Sequence, residues 1–180
     1  MNQTNPTLPS ADAAAAMLSA AIGQIRFARD YTLQLLDATP TEHWYTIPAG
    51  LPSNLAWQVG HLTVSQYGLL MFRLRGRQPE DLELIPGKFR KAYGRSSIPN
   101  ADPAGQPTPE ALKERLNRVF ESSLEELDRV SIETLFEAVD MPYAVYPIKL
   151  GAVLFCPLHE HIHAGQIGLL RRALGLDPVR

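Results

Sequence analysis

The sequence predicts an all-α fold, a single four-helix bundle. Four long segments carry apolar residues at three-to-four spacing, and 180 residues suit one domain with one continuous core. No internal repeat, low-complexity block or second-domain linker interrupts them. We therefore take residues 1–180 as one domain, with a loose polar arm over 1–10.

The arm holds two prolines and ends at Ser10, a good N-cap. From Asp12 to about Asp37, Met17, Ala21, Ile25, Ala28, Thr32 and Leu35 recur at helical spacing, which predicts a long first helix. Pro40, Pro48, Gly50 and Pro52 punctuate the connection that follows. Ser53 is then the expected N-cap of a second helix running to about Leu74, with Leu55, Val59, Leu62, Gln66, Leu69 and Leu70 as its stripe. The surrounding Trp57, Tyr67 and Phe72 predict that this helix is mostly buried.

Residues 76–107 are rich in Gly and Pro and leave no room for a long regular element, so they form a long excursion between helices 2 and 3. Thr108 with Pro109 opens the third helix, whose Leu112, Leu116, Val119, Phe120, Leu124 and Leu127 give the cleanest amphipathic pattern. Leu135–Pro147 mixes β-branched and aromatic residues with two prolines and reads as extended. The last helix spans about 149–174 and stops near Gly175, with Arg171 and Arg172 in its final turns. Pro157 lies inside it and should kink it or mark its true start.

Charge and composition exclude several classes. Seventeen Lys+Arg against nineteen Asp+Glu give a net charge of −2, too little positive field for a dedicated nucleic-acid binder. No window reaches the ~18 apolar residues of a membrane span. The Ala-rich run 11–16 has no preceding positive cluster, the first basic residue being Arg26, so no targeting peptide is readable. A single cysteine, Cys156, forms no internal disulfide. A cytoplasmic protein acting on a small molecule, without nucleic acid or membrane, is the expectation.

The chemistry concentrates in His159-Glu160-His161-Ile162-His163. At about 100° per residue, His159 and His163 share one helix face and His161 points away, toward the surface or an interface. Cys156, Gln166, Ile167, Leu170 and Leu174 extend that face into the core-facing stripe. A lone core-facing histidine is usually a hydrogen-bonded core residue, but two side by side need something to satisfy their nitrogens, and a divalent cation does so. The segment also matches H-E-x-x-H, the zinc-protease helix signature, yet no His or Glu follows His163 to complete it. A third ligand must come from upstream, where His43 sits in a connection and His61 in the middle of helix 2. Three imidazoles with open positions are a catalytic rather than structural arrangement, suited to zinc or nickel, with iron and copper also compatible.

Gly60-His61-Leu62 on helix 2 and H-x3-H-x-G-Q-I-x-L-L-R-R-x-L-G from His159 to Gly175 resemble the DinB/YfiT-like superfamily of metalloproteins over essentially the whole chain. The resemblance implies up-down-down-up connectivity, a divalent metal on His61, His159 and His163, and homodimerisation. It further implies a transferase that uses a low-molecular-weight thiol as cosubstrate, although many members have no assigned reaction.

Among the other residues, Glu160 is a candidate general base for an alternative, hydrolytic reading, although a place on the solvated flank suits it better. Gln166 and Glu160 are candidates to orient an imidazole. Cys156 could ligate metal but reads better as core. Arg90 and Lys91, within Lys88-Phe89-Arg90-Lys91-Ala92-Tyr93-Gly94-Arg95, are candidates to hold an acidic thiol cofactor if the excursion folds over the site; a solvated loop is the plainer reading. A third reading is a non-catalytic dimeric module that binds metal or ligand.

Overall fold

The computed structural model describes residues 7–179, with the side chains at 141 and 142 outside the description. Most of the expected loose arm, residues 1–6, lies outside the described residues as well. The fold is 65% helix with one small two-stranded sheet, so the all-α expectation holds at the level of class.

Helix α1 (Ala11–Asp37) starts where Ser10 Oγ accepts from the Ala13 amide. A 3-10 turn (Thr41–His43) carries the bystander His43. Helix α2 (Leu55–Tyr67) runs on through a π-helical segment (Gly68–Phe72) into α3 (Arg73–Arg75). Its N-cap is Asn54, not the predicted Ser53: Asn54 Oδ1 takes the Trp57 amide, and the Ser53 hydroxyl instead meets the Gln58 side chain.

The excursion contains two short helices, α4 (Asp81–Leu84) and α5 (Gly87–Tyr93). It is tied down along its length. Arg75 grips Asp81, Arg115 donates to the carbonyls of Glu83 and Leu84, and Asn54 Nδ2 donates to the Asn100 carbonyl. Tyr45 Oη donates to the Pro107 carbonyl. The solvated-loop reading of 88–95 is thereby corrected: α5 is amphipathic, with Phe89 and Tyr93 buried and Lys88, Arg90 and Lys91 exposed.

Helix α6 (Pro109–Arg129) opens as predicted, Thr108 Oγ1 accepting from the Ala111 amide ahead of Pro109. After α7 (Ile132–Leu135), the expected extended stretch is an antiparallel hairpin of β1 (Ala138–Tyr143) and β2 (Tyr146–Ile148), turned by Ala144 and Val145 at positive φ. Helix α8 (Lys149–Ala173) follows at once. Pro157 therefore lies in its interior and does not mark its start. Gly175, at φ +79°, takes the left-handed conformation that ends it, with the Leu176 amide bonded back to the Arg171 carbonyl.

Helix α1 packs along α8, and α2 packs against both α6 and α8. Ile25, Leu36, Leu55, Leu70, Leu112, Leu116, Leu150 and Ile167 are fully buried between them. This packing brings the middle of α2 opposite the middle of α8. Helix α5 closes over α2 at Gly60, where a Cβ would come within 2.2 Å of the Tyr93 ring, so only glycine permits the approach.

Candidate metal centre

The α2–α8 contact brings His61, His159 and His163 together. Their ligand atoms lie within 4.8 Å of one another, and this is the one group of three or more His, Cys, Asp or Glu side chains among the described residues with metal-binding spacing. The ring centroids of His159 and His163 are 4.5 Å apart, and His61 stands 4.8 Å from His163 and 5.4 Å from His159. His61 and His163 are buried and His159 is half-buried, so the cluster is reached from the His159 side.

Hydrogen bonds set the tautomers of two rings. His61 Nδ1 lies 3.0 Å from the Tyr93 carbonyl oxygen; a carbonyl only accepts, so the proton is on Nδ1 and the lone pair on Nε2. The Ser65 hydroxyl, at 3.2 Å, donates to that Nε2. His163 Nδ1 donates to Gln58 Oε1 at 2.5 Å. The Gln58 amide is oriented in turn, because its Nε2 donates to Ser53 Oγ at 2.9 Å. His163 thus offers Nε2, and His61 offers its Nε2 when the Ser65 hydroxyl rotates away, each with the outer nitrogen held as metal-binding histidines require.

Burial keeps the cluster neutral. Desolvation lowers the pKa of His163 to about 3 and of His159 to about 4, with the neighbouring imidazoles adding to the shift. Desolvation also lowers that of His61, against the opposing effect of the Tyr93 carbonyl, with Arg95 adding to the lowering. Three neutral imidazoles with their ligand atoms this close fit a divalent cation.

Aromatic rings wall the cluster. Trp57 stacks on His61 at 4.7 Å and 7°, and its Nε1 donates to Ser97 Oγ at 2.8 Å, fastening the excursion beside the site. Phe155 sits against His159 at 5.7 Å, backed by Tyr143 of the hairpin.

Other predicted residues fall elsewhere. Glu160 is not on a solvated flank: it is 2% exposed and takes Arg29 Nε at 2.7 Å on one oxygen and Arg29 Nη2 at 3.3 Å on the other. Arg29 also donates to Gln66 Oε1 and the Leu116 carbonyl, so this ion pair ties α1, α2, α6 and α8. Gln166 is exposed, and Gln58 occupies the imidazole-orienting role considered for it. Cys156 is buried in the apolar core, its thiol pushed up chiefly by burial, and is not in the histidine group. His161 faces α1, exposed and stacked on Phe27 at 6.0 Å. Arg90 and Lys91 stand on the outer face of α5, and the excursion touches His61 through the Tyr93 backbone instead.

Gln58 does not stand out in the sequence, and Ser53 and Tyr93 stand out there only as a helix cap and as part of the basic-aromatic run. The available signal was a glutamine one turn before a core-facing histidine, on an otherwise apolar helix.

No curated protein and no solved structure matches the chain. The family model of the DinB superfamily matches residues 24–167, a span that holds all three clustered histidines, Gln58 and the whole excursion. With well over half its length matched, the chain belongs to the DinB superfamily.

Proposed function

We propose that the chain is a divalent-metal-dependent enzyme acting on small molecules, a thiol S-transferase built on an up-down-down-up four-helix bundle. The observation that carries the reading is the pair of oriented, neutral imidazoles His61 and His163, converging with His159 at an aromatic-walled mouth. Catalytic three-ligand sites leave positions open for an exogenous group. When bound there, a divalent cation lowers the pKa of a thiol or water in its open position.

The residues of the chain contribute position and dryness. The Tyr93 carbonyl and Gln58 hold His61 and His163 in the ligating tautomer, and Trp57 and Phe155 exclude water from two sides. The thiol comes from a cosubstrate, since the one cysteine is sealed in the core. A hydrolase using Glu160 as base is the weaker reading, because Arg29 occupies both carboxylate oxygens. A homodimer in the cytoplasm completes the proposal; Phe27, Leu158, Ile162 and Leu169, exposed on α1 and α8, favour pairing.

The test follows consumption of glutathione, N-acetylcysteine and cysteine with chlorodinitrobenzene as acceptor. In the reaction a sulfur–carbon bond forms, chloride leaves and the thiol proton passes to buffer. Turnover with at least one thiol that requires added metal and falls at least about tenfold in His159→Ala supports the proposal. Metal-loaded protein that never accelerates thiol consumption contradicts it.

A further inference from the structure

A second concavity lies along α2 beyond the histidines. Its volume is about 210 Å³, and its walls are Val64, Tyr67, Phe72 and Ile85, with Arg77 and Arg90 at its rim. Val64 and Gly68 follow His61 by three and seven residues, so they share its helix face, about 5–10 Å further along the axis by helix rise. The π-helical turn Gly68–Phe72 forms one side, a backbone irregularity that recurs at functional sites.

The chemistry of the lining is specific. Ile85 and Tyr67 are buried, and the exposed Phe72 ring stands 6.5 Å from that of Tyr67, giving an apolar floor with an aromatic edge open to solvent. Arg77 and Arg90 reach the cavity from opposite ends of the excursion's first half. Neither guanidinium has a hydrogen bond or ion pair among the described residues, whereas Arg75 beside them is fully committed to Asp81 and Glu126. Asp81, which accepts from Tyr67 Oη at 2.9 Å, is neutralised by Arg75. Two uncommitted guanidiniums over a small aromatic cavity match an apolar carboxylate, the ring below and the anion above.

We propose that this cavity binds a small aryl or branched-chain carboxylate through Arg77 and Arg90. Its use as the acceptor subsite rests on the metal-centre reading; its binding of the acid does not. A cavity of this size lies below the usual range for drug-sized ligands, which limits the occupant to about one ring.

The test is 19F NMR titration of the metal-free full chain with 4-fluorobenzoate and its neutral isostere 4-fluorobenzamide. The benzoate should bind at least about tenfold tighter than the amide, as charge-assisted contacts require. Arg77→Gln and Arg90→Gln should each weaken benzoate about tenfold and the amide much less, with Tm unchanged because both side chains are exposed. Equal affinity for the two probes, no binding of either, or indifference to both substitutions overturns the proposal. Benzoate binding that appears only with added metal also overturns it, placing the acid on the histidines and leaving the metal-centre reading intact.

Discussion

Gln58 Oε1 accepts the Nδ1 hydrogen of His163 at 2.5 Å, and the same amide donates through Nε2 to Ser53. One side chain on α2 thereby sets the tautomer of a ring on α8. Removing an outer partner of this kind costs about 10–100-fold in metal affinity. Gln58→Leu should do so with the fold intact by circular dichroism, and competition with a chromophoric chelator reads the loss. Unchanged affinity would mean that Gln58 does not orient the ring.

Gly60 is where α5 meets α2. A methyl group there would overlap the Tyr93 ring, with contacts of 2.2 to 2.7 Å, and push away the carbonyl that holds His61. Gly60→Ala should cost about 1–3 kcal/mol, the range for overpacking, and weaken metal binding together with stability. Urea denaturation of metal-free protein separates the two effects.

Arg29 and Glu160 form a pair with both side chains nearly sealed from solvent. Breaking such a pair from one side costs about 3–5 kcal/mol, because the other charge is left buried. Glu160→Gln should therefore lower Tm sharply, and the double variant Arg29→Met, Glu160→Leu should recover part of the loss. A Glu160→Gln protein of native stability with abolished turnover would instead identify Glu160 as a base.

Acidification should unfold the metal-free protein through the histidines. Their folded pKa values, about 4 for His159 and about 3 for His163, lie below the unfolded value near 6.5. The unfolded chain therefore binds more protons, and stability, complete above about pH 6.5, falls as pH drops toward those values. Urea midpoints should decline between pH 7 and pH 4, and His159→Leu with His163→Leu should flatten the decline. An equally steep decline in that double variant would assign the acid sensitivity elsewhere.

The parts of this fold legible in the sequence are those governed by neighbours in the chain. Ser10, Thr108 with Pro109, and Gly175 mark helix ends through local hydrogen bonds and backbone preference, and each stands where expected. His159 and His163 were legible as a pair because i, i+4 spacing puts them on one face whatever surrounds them. The cap at Asn54 was not, since Ser53 and Asn54 are both good caps and the choice depends on Gln58, a side chain one turn away. The burial of Arg29 and Glu160 was hidden for a similar reason: each reads as a surface charge until the other, 131 residues away, is packed against it. The excursion looked like loop because its order comes from anchors on α2 and α6.

The most direct test of the metal centre is elemental analysis of purified protein after equilibration with zinc or nickel and removal of free ion, beside His163→Ala prepared identically. About one equivalent of metal per chain in the native protein and essentially none in the variant is the predicted result. Metal absent from both, or retained equally by both, would contradict a site built on His61, His159 and His163.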